Sequence, residues 1–119
     1  MGQEDPYIYK YGQSFVKGLQ DVQNGKLNGV LASAKHFFAD GAAMYGTNIA
    51  STQVISFKNF VSHNTQGYFG AVKSDVGAVM VSYNGVNYIN NGMNSLYLNG
   101  VLREDIGFKG FTLSDYNDV

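Results

Sequence analysis

Three places in the chain set ionisable or hydrogen-bonding side chains directly behind a short apolar run. Lys35-His36 follows Gly29-Val30-Leu31-Ala32-Ser33-Ala34, Ser82-Tyr83-Asn84 follows Gly77-Ala78-Val79-Met80-Val81, and Ser114-Asp115 follows Gly110-Phe111-Thr112-Leu113. Brought together, these groups supply donors, acceptors and one carboxylate to a polar ligand. Each also has a structural reading. Asp115 at a strand-to-helix turn can cap the next helix. His36 can be a polar strand-end residue bonded to a carbonyl, and Lys35 a surface lysine lying along apolar atoms. Neighbouring strand residues point to opposite faces, so Lys35 and His36 reach one ligand only at a strand end, where the pleat breaks.

The elements around these groups follow from periodicity. Asp5-Pro6 is a helix start, and Ile8, Tyr11, Phe15, Leu19 and Val22 recur at spacings of three and four, which predicts a helix over 6–23 with Asn24-Gly25 as its stop. The stretch 38–52 is rich in small and polar residues, without periodicity, and is read as a functional loop. Asp40 lies in it, as a solvated carboxylate or a group that orients a ligand-binding neighbour. Ser56 is placed to cap a second helix running through Phe57, Phe60 and Val61 to Ala71-Val72, with a break near Gln66-Gly67. His63 falls on its surface. A third helix carries Leu98, Val101, Leu102 and Ile106.

The order is helix, strand, helix, strand, helix, strand, with strands that are continuously apolar rather than alternating. That is the pattern of a parallel α/β sheet covered by helices. Parallel strands deliver the residues beyond their C-terminal ends to one edge, where ligands bind in both open sheets and (β/α)8 barrels. The three polar groups therefore converge.

Composition narrows the function. At 119 residues there is one domain, 1–119; with 45% hydrophobic and 14% charged residues it is apolar enough for a core. A net charge of −1 and scattered Lys and Arg give no footprint for nucleic acid. No apolar run approaches the roughly 20 residues of a membrane span. The chain has no Cys, and its two His residues have no metal-ligand spacing with nearby carboxylates. Gly41-Ala42-Ala43 and Asn91-Gly92 lack phosphate-loop spacing and read as turns, so no metal or cofactor is expected. The compartment is left open.

Taken in order, Glu4-Asp5-Pro6-Tyr7, Val16-Lys17-Gly18-Leu19-Gln20, Lys35-His36-Phe37, Val79-Met80-Val81-Ser82-Tyr83-Asn84, Gly107-Phe108-Lys109-Gly110-Phe111 and Ser114-Asp115 resemble family 3 glycoside hydrolases of the β-glucosidase type. The resemblance implies part of a (β/α)8 TIM-type barrel with about three parallel strands and covering helices. It implies a retaining β-glycosidase working through a covalent glycosyl-Asp intermediate, with Asp115 as nucleophile. Lys35 and His36 then hold hydroxyls of the sugar being cleaved, the Lys35 ammonium favours the ionised Asp115, and Met80 and Tyr83 line the same subsite. Tyr116 stands where the family commonly has Trp, which keeps an aromatic face of smaller area. One subgroup carries its acid/base as a His-Asp pair in the loop after Lys-His-Phe, but 38–52 contains no His. The expected partners are a β-linked glucoside and the remainder of the same enzyme, with a later domain supplying the acid/base. On that reading the chain is a fragment. A non-catalytic sugar-binding paralogue is the alternative.

Overall fold

The computed structural model describes residues 6–42, 51–52 and 56–116. Pro6, whose missing N–H costs nothing at a helix start, opens α1, Pro6–Gln20. The expected apolar stripe does not face the core: Tyr11, Phe15 and Leu19 are exposed, and the buried residues are Val16 and Gln20. The contact face is instead made of glycine. A Cβ on Gly12 would lie 2.5 Å from the Gly67 carbonyl oxygen, and one on Gly70 would run into the Tyr9 backbone. Only side chains of minimal size let α1 and α2, Phe57–Val72, approach this closely.

α1 ends three residues earlier than the periodicity predicts. Asp21 takes φ +42°, and Asn24-Gly25, at φ +52° and +74°, turn a hairpin between β1, Val22–Gln23, and β2, Lys26–Leu27. Two positive-φ residues in a two-residue loop match strand twist, so Asn-Gly here is a hairpin turn, not a helix stop. Beyond it, Gly29 and Val30 donate their N–H groups to the carbonyls of Gln20 and Leu19 at 2.9 and 2.8 Å. The start of the apolar run thus docks on the end of α1 and is not a strand. The buried Gln20 amide completes the joint. Its oxygen accepts from the N–H of Ala32 and of Gly77, each at 3.1 Å, and its nitrogen donates to the Asp75 carbonyl at 3.0 Å.

The parallel sheet consists of β3, Ser33–Phe37, β5, Ala78–Val81, and β8, Phe111–Leu113, in the order β3-β5-β8. Lys35 and His36 therefore lie within a strand rather than beyond it. Ala34 pairs with Val79 and Phe37 with Val81, so three steps along β3 match two along β5. That bulge breaks the strict alternation of the pleat at Lys35-His36. The Lys35-His36 and Phe37-Phe38 peptide bonds are cis.

α2 runs unbroken through Gly67, where glycine serves close packing, not the expected interruption. Ser56 occupies its N-cap in extended conformation, but its side chain makes no capping bond. α3, Leu96–Asp105, connects β5 to β8 and is wound in π geometry, with Ile106 N–H donating to the Val101 carbonyl five residues back at 2.9 Å. It buries Tyr97, Val101 and Leu102 against Phe38, Val79 and Phe108 in one core cluster. A second small sheet joins β4, Ser51–Thr52, to β6, Gly85–Val86, in parallel, and β6 to β7, Ile89–Asn90, through a turn at Asn87-Tyr88. The predicted loop is thus ordered at both ends, by a 3-10 turn at Asp40–Ala42 and by β4; residues 43–50 lie outside the described ones. No described helix is long and apolar enough to cross a membrane. Three parallel strands linked by helical crossovers give the α/β architecture expected of a (β/α)8 barrel segment.

Candidate active site

β8 ends at Leu113, and two residues later Asp115 stands at the C-terminal edge of the sheet. The bulged end of β3 brings His36 to it, with His36 Nε2 3.6 Å from Asp115 Oδ2. Both side chains are partly covered, 28% and 22% exposed, so the pair is open to a ligand without being dissolved in bulk water. At 3.6 Å the contact is an ion-pair distance rather than a direct hydrogen bond. The other carboxylate oxygen of Asp115 accepts the N–H of Tyr116 at 2.7 Å, which fixes the carboxyl plane. The residues that an N-capping Asp115 would serve, 117 and 118, lie outside the described ones.

The other ring nitrogen of His36 meets a second carboxylate. Nδ1 lies 3.2 Å from Asp40 Oδ2. An ionised carboxylate can only accept, so Nδ1 carries the proton and donates to Asp40, and the ring then presents Nε2 to Asp115. Of the two readings of Asp40 in the sequence, the orienting group is the one the geometry favours over the solvated carboxylate. Asp40 also faces a cavity of about 280 Å³ lined by Lys35, His36, Ala39, Asn64 and Tyr68. Burial, and secondarily the negative charge of Asp40, pushes the Tyr68 phenol well above its ordinary value, so it stays protonated and able to donate.

The remaining sequence-predicted residues are placed unevenly. Lys35 is exposed and lines the same cavity, but among the described residues the basic side chain within ion-pair distance of Asp115 is His36, not Lys35. Met80, half-buried on β5, pairs in register with Leu113. Met80 and Leu113, paired across the sheet, therefore share one of its sides. Tyr83 is half-buried between β5 and β6. Tyr116 touches Asp115 through its backbone, while its ring is 87% exposed. His63 is on α2, with Nδ1 donating to the Asn59 carbonyl at 2.6 Å, far in role from the strand ends. Among the described residues no group of three or more His, Cys, Asp and Glu is gathered for a metal ion.

Ser82 and Asn84 do not offer themselves to a ligand, contrary to the convergence read from the sequence. Both are fully buried, with Ser82 Oγ–H donating to Asn84 Oδ1. Asn91, also buried, donates Nδ2–H to Asn84 Oδ1 at 3.1 Å and to the Phe38 carbonyl at 3.0 Å, and Asn84 Nδ2 reaches the Ala39 carbonyl at 3.4 Å. Asn91 reads as a turn residue in the sequence. Its place beneath the site is not evident there, and the crowding of Asn at 84, 87, 90, 91 and 94 is the available signal. Beneath the network the Phe37 and Phe38 rings stack at 5.0 Å, and Phe37 meets Tyr68 edge-on at 5.1 Å.

Comparison with known proteins bears on the family and the fold. The chain is 36% identical over 113 residues to a probable beta-glucosidase A of Aspergillus terreus, an alignment covering 86% of this chain and 12% of that protein. An exo-1,3/1,4-beta-glucanase from a Pseudoalteromonas species superposes with a TM-score of 0.87 at 33% identity, over 96% of this chain and 15% of that one. A beta-glucosidase from Listeria innocua, solved with gluconolactone, gives 0.80 at 29% identity over 95% and 16%. The chain thus spans about 12% of the length of the curated relatives it matches. Residues 2–119 match the sequence model described as the glycosyl hydrolase family 3 N terminal domain. Matched along nearly its whole length by that model, and superposing on solved members at TM-scores of 0.80 and above, the chain belongs to glycosyl hydrolase family 3.

Proposed function

We propose that this chain carries the nucleophile side of the active site of a retaining β-glycosidase of β-glucosidase type. Asp115 attacks the anomeric carbon of a β-linked glucoside and forms a covalent glycosyl-Asp intermediate, which water then hydrolyses. The observation that carries the reading is the Asp115 carboxylate at the C-terminal edge of the parallel sheet, plane-fixed by Tyr116 N–H and 3.6 Å from His36 Nε2. That edge is where barrel enzymes build their sites, and a positioned carboxylate is what the displacement needs. The relatives named beta-glucosidases support the substrate class.

His36 binds sugar hydroxyls beside the reacting carbon, where contacts tighten as positive charge develops on the ring. Lys35, from the cavity side, does the same for a hydroxyl further from Asp115. Met80 and Tyr83 form the apolar and aromatic walls, and Tyr116 offers an exposed ring for stacking. A retaining glycosidase needs a second carboxyl group about 5–5.5 Å from the first. That acid/base, together with the rest of the barrel, is supplied by a longer enzyme of which this chain is a segment.

The test is trapping with a 2-fluoro glycoside in the full-length protein, followed by peptide mapping. The expected result is a label on Asp115, with Asp115→Asn lowering kcat by about three orders of magnitude or more while sugar still binds, as loss of about 4 kcal/mol of transition-state stabilisation requires. A label on a different carboxylate removes the assignment. Sugar binding with no turnover and no label in the wild-type protein establishes a non-catalytic sugar-binding protein instead.

A further inference from the structure

We propose that Asp40 is a positioning residue, which holds the His36 imidazole in the tautomer and ring orientation that turn Nε2 toward Asp115. The inference rests on the reading of Asp115 and His36 given above. His36 has one rotatable ring with two unlike edges, and nothing about β3 alone selects which nitrogen faces the reacting carboxylate. The contact from Nδ1 to Asp40, at 3.2 Å, is within hydrogen-bonding reach whereas Nε2 stands 3.6 Å from Asp115, so the nearer carboxylate takes the Nδ1–H and thereby sets which nitrogen faces Asp115. Nε2 is left 3.6 Å from Asp115, a spacing that leaves both groups accessible to one hydroxyl.

Asp40 is itself held. It opens a 3-10 turn in which Ala42 N–H donates to the Ala39 carbonyl at 3.0 Å. Ala39 stands at φ +61°, a left-handed conformation that a residue with a Cβ keeps only when its surroundings over-determine it. Those surroundings are visible. Asn91 Nδ2 donates to the Phe38 carbonyl and Asn84 Nδ2 to the Ala39 carbonyl, so both carbonyls immediately before Asp40 are held by buried amides from the segment that follows β5. The Phe37 and Phe38 rings between His36 and Asp40 are fully buried and stacked. The four-residue step from His36 to Asp40 is thus fixed by the core and not by a helix.

A double-mutant cycle in the full-length protein tests this, with kcat and kcat/KM measured on an aryl β-glucoside for Asp40→Ala, His36→Ala and the double variant, alongside Asp40→Asn. If Asp40 acts through His36, Asp40→Ala lowers kcat and kcat/KM together by about ten- to a hundredfold, the range expected when a reacting group is slightly misplaced. Asp40→Asn, which keeps an acceptor oxygen, recovers most of that loss. Asp40→Ala then costs nothing further once His36 is alanine. Should Asp40→Ala fail to fold, Asp40→Val fills the same corner of the cycle with a larger apolar side chain that likewise cannot accept from Nδ1. Additive losses, or a change confined to KM, overturn the inference by making Asp40 an independent sugar contact or a stabilising group. Full kcat in His36→Ala overturns the reading of His36 itself and the inference with it, so the two failures are told apart by the His36 single variant.

Discussion

At the C-terminal end of the parallel sheet Phe37 and Phe38 are fully buried, and the side-chain amides of Asn84 and Asn91 beside them bond to backbone carbonyls across the strands. At the margins the opposite holds: on α1 Phe15 is 68% exposed, and on β8 Phe111 is 50% exposed, with all three β8 residues open. Both regions draw on the same residue types. What differs is how much of their surroundings the described elements supply. The floor of the candidate site is closed by β5, α2 and α3. Among the described residues β3 and β8 each pair with β5 alone, so each presents an outer strand edge there. The floor is self-sufficient, and the margins are built to be covered.

The largest effect that could break this comparison is activity in the 119-residue chain by itself. Strand edges that pair with nothing among the described residues and an open apolar helix face favour association, and on the proposed function, in which the general acid comes from elsewhere in a longer enzyme, its loss alone costs about 10²–10⁴-fold. Expressed alone, residues 1–119 should form soluble aggregates on size exclusion and give no measurable hydrolysis of an aryl β-glucoside. A monomer with a sharp unfolding transition and turnover would show that the margins need no cover.

Next in size, Phe38→Ala in the full-length protein should destabilise the domain by about 3–5 kcal/mol, the usual loss for a large buried aromatic. The denaturation midpoint reads it. Below that, Asn91→Ala removes the donor to the Phe38 carbonyl and one of the donors to Asn84 Oδ1, and should cost about 1–3 kcal/mol. It should also lower kcat, because the turn carrying Asp40 loosens; an unchanged kcat would detach the network from the site. The smallest effect is at the margin. Phe111→Thr should raise the solubility of the isolated chain, whereas in the full-length protein it should be clearly destabilising. Equal effects in both contexts would mean that the β8 face is solvent-exposed in the enzyme too.

The fold class was legible because continuous apolar runs alternating with helical periodicity admit few arrangements: 78–81 and 111–113 formed parallel strands within a residue of the apolar runs that predict them. The errors share a cause. Asn24-Gly25 signals a tight turn equally well at a helix end or in a hairpin, and the choice depended on β1 finding β2. The run 29–34 looked like a strand by hydrophobicity, but its N–H groups at Gly29 and Val30 were taken by α1. The apolar stripe of α1 was real, yet the face packed on α2 was the one with glycine, because closeness of backbones outweighed side-chain hydrophobicity there.

For the site, local pattern alone placed Lys35-His36 and Ser114-Asp115 near one sheet edge, since parallel strands share a direction and residues past their ends must gather. Residue type along the chain cannot say which nitrogen of His36 meets which carboxylate, or that Ser82, Asn84 and Asn91 turn inward while Tyr83 stays half-buried. Those outcomes depend on contacts between residues as far as 53 positions apart, such as Asn91 with Phe38. Short-range periodicity determined the elements and their order, because it is a property of neighbours in sequence. The pairing of His36 with Asp40 and Asp115, and the buried amides beneath them, were decided only where the bulge in β3, the turn at Asp40 and the end of β8 met in space.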